Sequence, residues 1–440
     1  MKKTLVLILS CLMIITSAAM FTSCGSKSES SGSSESSKQT TVKFSYPAYG
    51  YDSDKEAAFW KKSIAQFEKE NPDIKIEMTN EDWDSVFTKW DNGIKSGDTP
   101  DIGMCDYVDA TAYGEQGDVL DVSDVIQAIG GEDALTDDAI LAKDGDSWWS
   151  VPCVSTNIVL GYRTDLLKAA GYTEPPKTWK ELKTMAEKLT KDGQYGLGMN
   201  LSNTWLSQQV YFGFVKAAGG SFEDNNGTIT VGSDPANVTA LNYMCSLYKD
   251  GVIPKAALSW ENGDELNALA TGQIAMSIGW GGFGSTVADS FPDQADNIKY
   301  TVLPIGPSGK SGSFVGNAGF FIFKDAKHPK EAKKFIEFIM QDEIQKEWVV
   351  ASGNASPIKA VAKDSELKKA SWYNAIVEQA PTGTNYYIGG PYNAALSLYE
   401  QGDGYVSHIQ AVLKGADAKA ELQKAQKELE KKQNSLKNDQ

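Results

Sequence analysis

Between residues 41 and 104 the chain alternates strand and helix signals without interruption. Residues 41–45 (TVKFS) alternate polar and apolar side chains, and residues 55–71 place Ala58, Phe59, Ile64, Ala65 and Phe67 on one helical stripe. Asn71-Pro72-Asp73 ends that helix, and residues 74–78 (IKIEM) form a second strand pattern. An amphipathic helix follows over 83–94, a turn over 97–100 and a buried strand over 101–104. Strands joined by helices must pair in parallel through right-handed crossovers, so this stretch predicts an α/β layer with a mostly parallel sheet. The pattern resumes with strands at 158–162, 274–278 and 320–323 and helices at 179–191, 329–340 and 418–432. There is no internal repeat and no coiled-coil heptad.

The N-terminus carries a different signal. Lys2 and Lys3 precede an apolar run over 5–20, which closes on Phe21-Thr22-Ser23-Cys24. A basic head, a short apolar segment and a small-residue boundary describe an export signal over 1–23. The last four residues resemble a bacterial lipobox, in which Cys24 becomes the first residue and carries lipid; Phe21 departs from the usual Leu, Val or Ile. An ordinary cleaved signal is the alternative. Residues 25–38 (GSKSESSGSSESSK) have nothing to bury, so 24–39 reads as a lipidated cysteine with a disordered Ser-rich tether. The expected location is the outer face of the cell membrane, reached through the lipid on Cys24. No other apolar stretch approaches the roughly 18–20 residues of a membrane span.

Cleavage before Cys24 leaves 417 residues, more than a single core usually organises, which predicts two lobes. Formal charge is −16. A chain this acidic has no electrostatic footprint for nucleic acid or anionic lipid heads. Of five cysteines, Cys105, Cys153 and Cys245 remain after Cys11 and Cys24 are set aside. No CxxC spacing occurs, so neither a zinc site nor a disulfide framework is indicated; three buried thiols are expected, with one bridging pair as the alternative.

Four groups of segments stand out in order: 67–74 (FEKENPDI) and 96–102 (SGDTPDI); 149–152 (WSVP), 160–167 (LGYRTDLL) and 176–182 (PKTWKEL); 271–280 (TGQIAMSIGW); and 303–306 (LPIG), 316–323, 328–340 and 354–357. This ordered set resembles the large sugar-binding group of extracellular solute-binding proteins, with a maltose-binding-protein-like fold (family 1). Arg163 stands where the family usually has Asn. The resemblance implies a type II periplasmic-binding-protein fold: two α/β lobes, each a mostly parallel sheet flanked by helices, joined by a hinge. It implies crossings near 152–155, 310–318 and 357–365, hence lobe 1 from 40–153 plus 316–360 and lobe 2 from 154–315 plus 361–440. It further implies a monomer that captures a carbohydrate in the cleft and hands it to ABC permease subunits.

A pyranose offers one rather apolar face and a rim of hydroxyls, so it suits a flat aromatic platform edged by polar groups. The chain has 11 Trp and 18 Tyr. The informative ones lie after strand ends, where open α/β sheets bind ligands. Tyr49 and Tyr51 follow the first strand, Asp82 and Trp83 the second, and Asp106 with Tyr107 the third. Opposite them the reading places Asn157, Asn203 with Trp205, and Trp280, with Asn317 near a crossing and Tyr386 and Tyr387 near the C-terminus. The resemblance carries a sugar-stacking role to Trp280 and, more loosely, to Tyr386 or Tyr387. Trp60, Trp90, Trp179 and Trp348 sit at helical positions and are assigned to the core. The number of platforms favours an oligosaccharide.

Gly279-Trp280-Gly281-Gly282-Phe283-Gly284 fits G-x-G-x-x-G formally, but the following helix and placed acid of a dinucleotide site are missing. His328 and His408 lie outside any nucleophile or metal-ligand pattern. No catalytic residue, metal or cofactor is expected. A secreted glycoside-active enzyme, needing two flanking carboxylates, and a binding protein for a polyamine or metal ion are the alternatives.

Overall fold

The computed structural model describes residues 39–386 apart from Asn262, then Leu396 and residues 404–438. Cys11, Cys24, most of the Ser-rich segment and Tyr387 lie outside the described residues. The N-terminal alternation is realised as β1 (Thr40–Pro47), α1 (Ser53–Glu70), β2 (Ile74–Glu81), α2 (Trp83–Ser96) and β3 (Ile102–Asp106), followed by α3 (Tyr107–Gln116). β1 lies between β2 and β3 and is parallel to both. Period-two alternation sends Val42, Phe44 and Tyr46 to one face. There Phe44 and Tyr46 meet Trp60 and Phe44 meets Phe320, with ring centroids 5.3–5.7 Å apart. The other face packs Cys105 and Phe321 against Trp90 and Tyr113.

A small hairpin, β4 (Lys143–Asp144) and β5 (Ser147–Trp148), precedes the element that organises the rest. This is β6 (Val151–Arg163), a 13-residue strand, buried except at Tyr162. The apolar run at 158–162 is only its second half. The first half holds Pro152, Ser155, Thr156 and Asn157, which hide a strand from pattern reading, and it is extended because β10 (Ser313–Ile322) pairs with it. β10 also pairs antiparallel with β3. The second half of β6 pairs antiparallel with β8 (Met276–Trp280) and β9 (Ile298–Thr301). β7 (Gly198–Met199) runs parallel to β8, and β11 (Gly383–Thr384) joins β10. The sheet order is thus β2-β1-β3-β10-β6-β8-β7.

Two cores flank this spine. The first takes Val154 of β6 and Ala318 of β10; the second takes Ile158 of β6 and Phe314 of β10. Both strands therefore change cores over three intervening residues, 155–157 and 315–317. The first core also keeps Ile358, Val361, Tyr373 and Ile376, and Tyr386 packs in the second. This is the two-lobe α/β architecture in which each lobe's largely parallel sheet contains one strand of opposite direction. Trp60, Trp90, Trp179 and Trp348 are core residues, and Cys105, Cys153 and Cys245 are buried free thiols.

Arg163 has a structural role. Its buried guanidinium donates to both Asp165 oxygens, at 2.9 and 2.7 Å, and to the carbonyls of Leu269 and Ala270 at 3.2 and 3.0 Å. The planar fork thus ties the end of β6 to the C-terminal end of the helix Asp264–Ala270.

Candidate functional site

The first-lobe side of the site hangs on the loop after β1. Asp52 caps α1 by accepting the N–H groups of Asp54 and Lys55, both at 3.1 Å, and this fixes where the loop must end. Within the loop the Tyr49 hydroxyl donates to Asp106 Oδ1 at 3.0 Å, joining the ends of β1 and β3. Trp83 opens α2 and donates its indole N–H to the Ala48 carbonyl at 3.0 Å. Its ring meets Tyr49 edge-on, with centroids 5.0 Å apart, and remains 42% exposed. An indole held by its N–H with much of its ring open to solvent is a ready stacking platform. Asp82 is exposed at the N-cap of α2 and makes no side-chain capping bond.

Burial pushes the Asp106 carboxyl up to about 6, against the lowering effect of the Tyr49 hydroxyl. Burial, then the Asp106 charge, holds the Tyr49 phenol well above its usual range. Asp106 is the acceptor of this pair near neutrality.

The second-lobe side centres on Trp280, at the end of β8, and Trp205, at the start of the helix Trp205–Ala218. Their ring centroids are 6.4 Å apart. Trp280 is 6% exposed and packs on Phe314, whereas Trp205 is 43% exposed. Asn203 is also exposed, two residues before Trp205.

The remaining candidates lie elsewhere. Tyr51 leaves the β1 loop and packs against the second core, its ring 4.8 Å from that of Phe283. A Cβ at Gly282 would stand 1.9 Å from the Tyr51 ring, so this glycine admits a side chain from the other lobe. Lys55 pairs with Asp289 across the same seam. Asn157 is fully buried and donates to the Ile376 carbonyl at 3.4 Å. Asn317 is buried and donates to the Asp138 carbonyl at 3.1 Å. Tyr386 sits in the second core against Phe212, Phe222 and Phe314. The geometry thus assembles Tyr49, Trp83 and Asp106 as one group and Trp205 with Trp280 as another. Tyr51 is in the seam, the two asparagines are among the connecting strands, and Tyr386 is in the core.

Three acids escaped sequence reading. Asp138 accepts from the connecting strands, Glu265 is buried on the helix Asp264–Ala270, and Glu56 is buried on α1. None lies in a motif, because their partners are distant in sequence or are backbone groups. Tyr107 follows Asp106 and accepts a 2.7 Å bond from Asn385, 278 residues away. Among the described residues no three His, Cys, Asp or Glu side chains converge as metal ligands, and no helix is long and apolar enough to cross a membrane.

Two α/β lobes on shared strands, each with an aromatic group at its strand ends, are the architecture of a two-lobe solute-binding protein. The profile of the bacterial extracellular solute-binding proteins matches residues 51–346, and the chain belongs to that family, which serves ABC transporters. It is 24% identical over 331 residues to the maltodextrin-binding protein MdxE of Bacillus subtilis, covering 72% of this chain and 75% of that one. It is also 24% identical over 336 residues to the diacetylchitobiose-binding protein DasA of Streptomyces coelicolor, covering 74% and 75%. Its fold superposes on maltose-bound MalE3 of T. maritima with a TM-score of 0.77, at 22% identity, over 89% of this chain and 99% of the other.

Proposed function

We propose that this protein captures a carbohydrate, an oligosaccharide by preference, between its lobes and delivers it to an ABC permease while held on the extracellular face of the cell membrane by lipid on Cys24. The observation that carries the sugar reading is the pair of half-open indoles, Trp83 and Trp205, one on each lobe. Each stands beside a second aromatic ring, and Trp83 is linked through Tyr49 to a carboxylate that can accept sugar hydroxyls. Relatives that bind maltodextrin and diacetylchitobiose support the same class of ligand. In this reading sugar docks on one lobe, and closure brings the other lobe's aromatics onto it. Ligand favours the closed state by its differential affinity.

The test is a thermal-shift and tryptophan-fluorescence titration with maltotriose, maltopentaose, cellobiose and diacetylchitobiose. A ligand present at 100 times its dissociation constant stabilises the folded state by about 2.7 kcal/mol, which should raise the melting temperature measurably. Absence of any shift or fluorescence change across the series would remove carbohydrate as the ligand class. For the anchor, Cys24→Ala should release the protein from the membrane fraction into the medium; retention on the membrane would contradict it.

A further inference from the structure

Glu56 is 2% exposed, yet the groups that hold its carboxylate are hydrogen-bond donors, with no lysine or arginine among them. Its Oε2 accepts the Gly50 N–H at 2.8 Å and its Oε1 accepts the Tyr49 N–H at 3.3 Å. Burial raises its pKa, and these two backbone donors are the strongest groups opposing that rise. Burying an acid without a cation is costly, and an apolar side chain would fill the same place more cheaply. What the carboxylate supplies, and an apolar group could not, is a pair of charge-assisted bonds to consecutive amides of an otherwise irregular loop. The fit is close: a Cβ at Gly50 would lie 2.8 Å from Glu56 Oε2 and 3.0 Å from Glu56 Cβ, so a larger residue at 50 would press on the acid.

The rest of that loop is tied down to match. Asn354 donates to the Tyr49 carbonyl at 3.0 Å, and the Tyr51 N–H donates to the Ser352 carbonyl at 3.1 Å. From the backbone held at 49–51, the Tyr49 side chain reaches Asp106 and packs edge-on against the Trp83 ring. Ala48, next in line, receives the Trp83 N–H.

We infer that Glu56 is a positioning residue for the cleft, whose carboxylate fixes the backbone at Tyr49 and Gly50 and thereby sets the Tyr49–Asp106–Trp83 group. Its consequence for ligand rests on the sugar reading above; its consequence for the loop does not.

The experiment compares wild type, Glu56→Ala and Glu56→Gln by amide hydrogen exchange without ligand and by titration with maltotriose and maltopentaose well below melting. In Glu56→Ala the amides of Tyr49 and Gly50 should exchange at least tenfold faster while those of β8 are unchanged, and sugar affinity should fall at least tenfold. Glu56→Gln keeps one carbonyl acceptor and should recover part of both effects. A merely structural role would lower the melting temperature and leave affinity and local exchange alone; that result in a folded variant would overturn the inference. Should Glu56→Ala not fold, Glu56→Gln decides: intermediate exchange at 49–50 supports the inference and wild-type exchange overturns it. If wild type binds neither sugar, the sugar reading falls while the exchange comparison still decides whether Glu56 holds the loop.

Discussion

The side-chain amide of Asn317 donates to both the carbonyl and the carboxylate of Asp138, at 3.1 and 3.3 Å. Ser155 of β6 donates to the same carboxylate. Asp138 therefore holds both connecting strands at the point where they change cores, because Ser155 and Asn317 are register partners.

Removing this carboxylate orphans the buried Ser155 hydroxyl and leaves the Asn317 amide only the carbonyl of residue 138. Asp138→Ala is expected to cost about 2–4 kcal/mol of unfolding free energy, and Asn317→Ala about 1–3 kcal/mol, as read from urea denaturation. Sugar affinity in folded Asn317→Ala should stay within about threefold of wild type, which corresponds to less than about 0.7 kcal/mol. A tenfold loss with unchanged stability would place Asn317 at the ligand instead.

The two second-lobe tryptophans should respond differently to truncation. Trp205 is half-open and Trp280 is buried against Phe314. Trp205→Ala should weaken sugar binding about tenfold, roughly 1.4 kcal/mol, with little change in melting temperature. Trp280→Ala should weaken binding at least as much and also destabilise the fold by about 3–5 kcal/mol. Calorimetric titration beside thermal unfolding separates the cases; equal affinities for wild type and Trp205→Ala would remove that platform.

Binding should depend on pH through Asp106. Burial places its carboxyl near 6, and an ionised acceptor makes the stronger hydrogen bonds to sugar hydroxyls. Affinity is expected to fall as pH drops from 7 to 5, with a midpoint near 6. Asp106→Asn should bind more weakly at pH 7 and show a flat profile. A wild-type profile without a transition in that window would exclude the carboxylate from ligand contact.

Glu265 should shape stability rather than binding. It is 2% exposed, and burial outweighs the lowering effect of the nearby Glu265 and Gly263 backbone amides and pushes its carboxyl up to about 7. Its pKa in the fold lies above the unfolded value of about 4.3. The neutral form's contribution is therefore complete below about pH 4.3 and is lost as pH rises through 7, on the order of 3 kcal/mol. Glu265→Gln should reduce the loss of stability between pH 5 and pH 8, measured by denaturant unfolding. Identical slopes for the two proteins would show that Glu265 does not titrate there.

The N-terminal α/β alternation was legible because local pattern and tertiary role agree at β1, α1, β2, α2 and β3. The core tryptophans were legible for the same reason, each lying on a helical stripe. The first half of β6 was not, since Pro152 and Ser155 to Asn157 break the apolar run and only pairing with β10 makes them a strand. At the candidate site, Tyr49, Trp83 and Asp106 could be grouped in advance because parallel strands deliver their following loops to one edge. Asp138, Glu56 and Glu265 could not, because a buried acid and a solvated one look alike until distant segments close over them.

The notch at Gly282, which receives the Tyr51 ring, makes the seam between lobes behave like a fitted door. A single methyl group at that position would be a doorstop, wedging the lobes apart without touching the platforms on either side. Gly282→Ala therefore offers a one-residue means of holding the protein ajar: small-angle scattering should show a larger radius of gyration. Each lobe would still present its tryptophan to sugar, and capture would become separable from enclosure.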